Sequence, residues 1–182
     1  MVSESNPLHQ LFTEIVGRNY CDVGISSPEV QGYVSTVLTE FCENDNLFKI
    51  RDAAGRPLHD VGEMLLEADP VYGRAPSFER ERQVRKHIGD YTLFLAGMFP
   101  ESINHFRLHR QRLENFVDFI KAGKESYFIV SKFDQFEYAR LAPLFSKLSY
   151  EFESCVYGLH LVKGDLDEMQ HPITRQARQI VM

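Results

Sequence analysis

The apolar and polar positions of this chain alternate with the periodicity of α-helices, and one segment is apolar on every side. Asp90 is the only charged residue from Ile88 to Phe99. One face of the helix carries His87, Tyr91, Phe94, Leu95 and Met98, at steps of three and four residues, and Leu93 and Ala96 lie on the opposite face. A helix that is apolar all round is buried. A membrane span needs about 20 such residues, so this segment is too short to cross a membrane and should lie in the core of the domain. The pattern predicts a buried central helix over about residues 77–99.

Other apolar stripes predict amphipathic helices around this central one. Pro7 after Asn6 is typical of a helix start, and Ser26 can cap a second helix together with Glu29. A third, short helix is expected from Leu58. Glycine is typical of helix ends. Three ends are therefore predicted at glycines, namely Gly17 (with Asn19), Gly123 and Gly164.

Two later stretches are open to more than one interpretation. Residues 126–133 are rich in the residue types that favour strands, but no partner strand is evident, so we expect a helix. From Phe145 to Leu159, apolar residues step by three and four, as in about two heptads of a coiled coil. Such a seam more often packs inside its own bundle, although it could also form a symmetric interface.

The expected fold is an all-α, single-domain bundle of about six to eight helices. A chain of 182 residues is typical of one domain. We expect the helical domain to cover residues 1–164, with residues 165–182 as a polar tail or a docking helix. Ile173, Ala177 and Ile180 recur there at helical spacing.

Composition limits the expected partners and compartment. The net charge is −6, so no global basic field attracts nucleic acid or an anionic membrane. The three cysteines form no metal-binding spacing, which favours reduced, mostly buried thiols in a cytoplasmic protein. The first residues lack a basic segment followed by an apolar one, so no signal peptide is predicted.

His87, Asp90 and Tyr91 form the first candidate site. His87 and Asp90 are three residues apart, so they are neighbours on one helix surface. Asp90 could orient the imidazole for a ligand, or the two could form a structural pair. A buried carboxylate needs a partner. The expected candidates are His87, Arg80, Arg85 or the end of another helix.

A second, weaker candidate is a metal site at Glu101, His105 and His109. Steps of four could place all three on one helical face, with ligands that suit zinc or iron. Pro100 makes a continuous helix uncertain, and nearby arginines would disfavour a cation. The alternative is a solvated surface turn. Arg107, Arg110 and Arg112, with the two histidines, form a basic strip that could contact phosphate or an acidic partner surface, although such a strip in an acidic chain is more often part of a mixed-charge surface.

Gly89 and Gly97 lie within the apolar helix and not between a strand and a helix. They therefore do not form a phosphate-binding loop. Glycine in a helix costs about 1 kcal/mol relative to alanine. Their presence predicts the close approach of another helix or of a ligand.

The central stretch resembles a motif of uncharacterised bacterial proteins. The motif consists of Gly89-Asp90, Leu93-Phe94, Gly97 and Phe99-Pro100-Glu101. Residues 127–138 and 144–152 are more loosely similar to the same family, so the resemblance covers about the C-terminal half. It implies a bacterial all-helical domain and carries over no catalytic residue.

These observations favour a cytoplasmic interaction module, which self-associates as a homodimer or binds a protein partner. The pattern contains no convincing catalytic set, so an enzyme is less expected, and no cofactor is predicted. The alternative is a helical bundle that binds a small molecule or metal near His87 and Asp90, with or without catalysis.

Overall fold

The computed structural model describes residues 6–42, 44–103 and 116–181, and these form an all-α bundle, as the sequence predicts. Those ranges contain eight helices of eight residues or more and no β-strand, apart from an isolated bridge between Arg51 and Pro57. The helices are Pro7–Asp22 (α1), Pro28–Phe41 (α2), the single turn Asn44–Leu47 (α3), Val61–Ala68 (α4), Phe78–Met98 (α5), Phe116–Val130 (α6), Ala142–Tyr150 (α7), Phe152–Glu168 (α8) and Pro172–Val181 (α9).

Helix α5 is the predicted central helix. It begins after Ser77, whose hydroxyl oxygen accepts a hydrogen bond from the Arg80 backbone N–H at 3.2 Å. It ends at Met98, and residues 100–103 form a 3₁₀ turn, because Pro100 cannot continue the α-helical hydrogen bonds. All side chains and glycines of residues 87–98 are buried. The prediction of a buried central helix is therefore confirmed.

Glycines let the neighbouring helices approach α5 closely. Gly89 faces the Tyr127 ring on α6, and Gly97 faces Leu159 on α8. A Cβ atom at either glycine would overlap the facing side chain. The prediction that these glycines permit helix approach is confirmed, and the approaching groups are helix side chains.

The three predicted helix ends at glycine are wrong. Helix α1 passes Gly17 and ends at Asp22, α6 passes Gly123 and ends at Val130, and α8 passes Gly164 and ends at Glu168. At Gly123 the reason is packing, because a Cβ there would overlap Thr92 of α5. Extension of α6 also places residues 126–130 in a helix, as predicted, while residues 131–132 form a turn.

The helix starts are partly as predicted. Asn6 caps α1, accepting a hydrogen bond from the Leu8 N–H at 2.9 Å. For α2 the cap position is Ser27 and not Ser26, and its side chain makes no capping hydrogen bond. The expected start at Leu58 is wrong, because its N–H donates to the Ile50 carbonyl at 2.8 Å and α4 begins after Asp60.

The predicted heptad seam lies inside the bundle. It is divided between α7 and α8, which meet at Glu151. Its residues are all buried, so the seam is not an exposed symmetric interface; they are Phe145, Leu148, Phe152, Cys155 and Leu159. Beyond it, α8 crosses the expected boundary at residue 164, and α9 packs against the fold through Ile173, Ala177 and Val181. Within the described ranges, no helix is long and apolar enough to span a membrane.

Candidate functional site

The Asp90 carboxylate lies at the centre of the bundle and is 1% exposed. One oxygen, Oδ1, accepts hydrogen bonds from the hydroxyls of Tyr33 on α2 at 2.6 Å and Tyr127 on α6 at 2.8 Å. The other, Oδ2, accepts from the Lys86 ammonium at 2.7 Å. Three helices therefore converge on one carboxylate, and both of its oxygens are engaged.

The two tyrosines are held in the protonated, donating form. Burial, and then the negative charge of Asp90, raise the pKa of Tyr33 and of Tyr127 well above the usual value. Tyr33 as a whole is partly exposed, but its hydroxyl donates to the buried carboxylate. Hydrogen bonds to an ionised acceptor are stronger than neutral ones, so this cluster ties α2 and α6 to α5.

None of the expected side-chain partners of Asp90 is its hydrogen-bond partner. Lys86 takes that place because it lies one turn before Asp90 on the same helix face. Arg80 points the other way, donating to the Arg51 carbonyl at 3.0 Å and lying 3.6 Å from Glu67. The prediction that Asp90 has a partner is confirmed, while its proposed partners are wrong.

His87 is buried beside this cluster without joining it. Its ring lies between those of Phe41 and Tyr91, with centroid separations of 5.7 and 5.9 Å. Within the described ranges neither ring nitrogen makes a hydrogen bond of standard geometry, and the Leu47 carbonyl contributes only a weak contact. Burial, followed by the positive charge of Lys49, lowers the pKa of His87 to about 3. The imidazole is therefore neutral at physiological pH.

The third candidate of this group, Tyr91, is also used by the fold. Its hydroxyl donates to the backbone carbonyl of His59 at 3.0 Å. The structure thus brings His87, Asp90 and Tyr91 onto adjacent turns of α5, as the spacing predicts, but directs each into protein contacts. In this arrangement neither the carboxylate nor the phenol is free to act on a ligand.

Glu101 lies at the C-terminal side of α5, between two cations. Its Oε1 is 3.4 Å from Nζ of Lys163 on α8 and 3.2 Å from a guanidinium nitrogen of Arg178 on α9. Burial would raise its pKa, but a backbone donor and these two cations lower it overall. The other members of the expected metal site, His105 and His109, lie outside the described residues, as does the basic strip that follows Glu101. Among the residues that the structure describes, no group of three metal-ligating side chains comes together.

The cysteines differ in exposure. Cys155 is buried, and this burial, with the charge of Glu151, raises the pKa of its thiol to about 12. It is therefore protonated and unreactive at neutral pH. Cys21 is exposed and Cys42 is partly buried, so the expectation of mostly buried thiols holds only in part.

A second region, around the first turns of α5, combines exposed apolar side chains with two arginines. Arg82 lies over the Tyr138 ring, 3.9 Å from its centroid, and Phe78 is one turn before Arg82 on the same face. Burial lowers the pKa of Arg85, while the negative charges of Glu81, Asp69 and Glu125 act in the opposite direction. We name this region the outer α5 surface. Its members lie on the first turns of α5, in the loop whose N–H groups bind Asp69, one turn from Glu125 on α6, or at and beside the Tyr138 ring over Arg82. They are Val71, Tyr72, Phe78, Arg82, Arg85, Phe128, Phe136 and Tyr138.

The outer α5 surface carries large apolar groups that the fold does not cover. Tyr72 is 92% exposed, Phe136 88% and Phe78 72%. Phe136 also has a φ of 52°, in the left-handed region that bulky residues seldom adopt. The Nε atoms of Arg82 and Arg85 are buried and make no hydrogen bond to any described residue. Large apolar side chains exposed together are a feature of a binding surface.

A shallow, open depression lies elsewhere, between the end of α1 and the start of α8. It is formed by Asp22, Val23, Glu153, Ser154 and Tyr157. It is separate from the Asp90 cluster, and its open shape does not enclose a ligand.

Comparisons with known proteins do not place the chain in a family. No family model matches it, and neither a curated protein nor a solved structure does. The resemblance of the central stretch to uncharacterised bacterial proteins therefore stays a prediction.

Sequence reasoning missed the partners of Asp90 and the whole outer α5 surface. Lys86 was recognisable, because a lysine four residues before an aspartate is a common helical pair. Tyr33 and Tyr127 gave no such signal, since tertiary packing alone brings them to Asp90. Phe78 and Phe136 carry a weak signal, as aromatic residues at polar or loop positions.

Proposed function

We propose that this chain is a helical interaction module that binds through the outer α5 surface. The observation that carries the proposal is the set of exposed aromatic side chains around Arg82 and Arg85. Arginine and aromatic residues are enriched at the centres of protein interfaces and among the residues that dominate binding energy.

A second copy of the chain is the partner that the local charges favour. Arg85 lies close enough to the carboxylates of Glu81, Asp69 and Glu125 for their charges to act on its guanidinium. A two-fold interface places the same patch on both sides. The arginines of one copy would then face the carboxylates of the other, and the aromatic side chains would bury each other.

The alternative expected from the sequence, a small-molecule or metal site near His87 and Asp90, has less support. The carboxylate and the Tyr91 hydroxyl already have protein partners, and two aromatic rings pack against His87. A ligand would have to displace these contacts in the most tightly packed part of α5.

Light scattering after size exclusion, over increasing protein concentration, tests the proposal. The parent chain should rise from the monomer mass toward the dimer mass, and Phe78→Ser with Phe136→Ser should remain monomeric. Tyr157→Ser is the matched control, because Tyr157 is a comparably exposed aromatic, 57% exposed, in the separate depression. A parent chain that stays monomeric at high concentration would contradict self-association through this surface.

A further inference from the structure

Helix α9 depends on the surface beneath it. It has ten residues and meets the bundle through Ile173, Ala177 and Val181, which step by four along one face. Isolated helices shorter than about 12–15 residues are marginally stable in water. The buried apolar face therefore keeps α9 helical. The same site on a second copy of the chain would stabilise α9 equally well.

The connection before α9 is strained. Residues 169–171 form a helix-ending turn in which the His171 N–H donates to the Leu166 carbonyl and the Gln170 N–H to the Asp167 carbonyl, both at 3.0 Å. This is the hydrogen-bond pattern of a Schellman motif, in which glycine usually takes the left-handed position. Here that position is Gln170, with a φ of 51°.

We propose that α9 is an exchangeable helix, and that the site beneath it also binds α9 of a second copy. In the closed chain, α9 packs on the site of its own molecule. In the exchanged dimer the same site holds α9 of the partner, so the buried contacts are the same in both states. The two states differ at the hinge, where opening releases the left-handed Gln170. Short hinges of this kind are where proteins exchange elements.

A charge pair provides a way to detect the exchange. Arg178 of α9 pairs with Glu101, which also contacts Lys163 of α8. In the closed chain the pair forms within one molecule. In the exchanged dimer, Glu101 of each copy would pair with Arg178 of the other.

The test uses two charge variants, Glu101→Arg and Arg178→Glu, each unable to form the pair within its own chain. Both also carry Phe78→Ser and Phe136→Ser, so that the outer α5 surface does not contribute and the two proposals can fail separately. The variants are refolded together from urea at high concentration and separated by size exclusion, and native mass spectrometry identifies the dimers. Both substituted side chains are partly exposed, which favours folding of the variants.

Mixing should produce heterodimers well in excess of the statistical proportion, because both attractive pairs form only between the two different chains. The matched control is the double variant Glu101→Arg with Arg178→Glu, which restores the pair within one chain and should remain mostly monomeric. Adding Gln170→Gly to both mixed chains should lower the heterodimer fraction, since glycine removes the hinge strain. Monomers only, or dimers in statistical proportion, would overturn the proposal.

Discussion

Helix α5 consists of two halves with opposite relations to the rest of the protein. In the inner half, residues 87–98, every position is buried, and the one charge is bonded to three partners. In the outer half, residues 78–85, Phe78 is exposed and two arginines carry unsatisfied Nε atoms. Lys86 lies at the junction, 31% exposed at its side chain, with its ammonium on Asp90.

The difference shows how one continuous helix can divide two tasks. The inner half holds the bundle together, because its glycines admit α6 and α8 and its carboxylate binds α2 and α6. The outer half contributes less to the core, and it leaves the apolar side chain of Phe78 exposed to water, which is energetically unfavourable. We therefore expect substitutions in the inner half to change stability and substitutions in the outer half to change association.

The largest effect is expected from Asp90→Ala, which should lower the free energy of unfolding by roughly 2–5 kcal/mol. The substitution leaves the Lys86 ammonium and two tyrosine hydroxyls without their acceptor. Urea denaturation of the variant and the parent at pH 7 measures the difference. Asp90→Asn should have an intermediate effect, because its oxygen can still accept from the tyrosines while its amide faces Lys86.

The matched control for that comparison is Glu79→Ala in the outer half. Glu79 is exposed in the first turn of α5, so its loss should cost only about 0.3–1 kcal/mol through the helix dipole. If Asp90→Ala were as stable as the parent, the structural role of Asp90 would be wrong. Functional groups are often held at a cost in stability, so that outcome would favour a ligand site at His87 and Asp90.

A smaller effect is expected from Gly89→Ala, which should destabilise the fold by about 1–3 kcal/mol through overpacking against the Tyr127 ring. The control is Gly164→Ala on α8, where an added Cβ meets no atom within 4 Å. That substitution should raise stability by about 0.5–1 kcal/mol, because alanine is the better helix former. Thermal unfolding of both variants gives opposite shifts if the contacts are as described, and shifts of equal sign would refute the contrast.

The glycines within helices show what the sequence could and could not predict. Hydrophobic periodicity was sufficient to place α5 and to show that it is buried, because an all-round apolar helix has no other stable position in water. It could not tell a glycine that ends a helix from one inside a helix contact. The end of α6 was therefore placed at Gly123, although packing against Thr92 carries the helix on to Val130.

The candidate site was predictable only in part, because its partners are brought together by tertiary packing that the sequence pattern does not show. A lone charge in an apolar helix implies a partner, and the sequence supports that inference. Which partner it finds depends on helix rotation and on residues far along the chain, such as Tyr33 and Tyr127. The outer α5 surface depends on the same tertiary information, since exposure of Phe78 and Phe136 follows from where the other helices stop.

The smallest effect on stability near neutral pH is expected from His87, and it should appear only on acidification. The folded-state pKa of His87 is about 3, while the unfolded value is about 6.5. Between these values the unfolded chain binds a proton that the folded chain does not. The free energy of unfolding should therefore fall as the pH drops below 6.5, by up to about 1.4 kcal/mol per pH unit from this group, and His87 should contribute no pH dependence above that range.

His87→Phe isolates this contribution, because the aromatic ring keeps its contacts with Phe41 and Tyr91 but does not titrate. Urea denaturation midpoints of the parent and the variant are compared from pH 7.5 to 4.5. The two curves should run parallel above pH 7, where other titrating groups act equally on both, and separate below pH 6.5 as the parent loses stability faster. Parallel curves over the whole range would mean that His87 takes up a proton in the folded state. The inner half of α5 would then be open enough to admit a charge, and its distinction from the outer half would be weaker than the packing indicates.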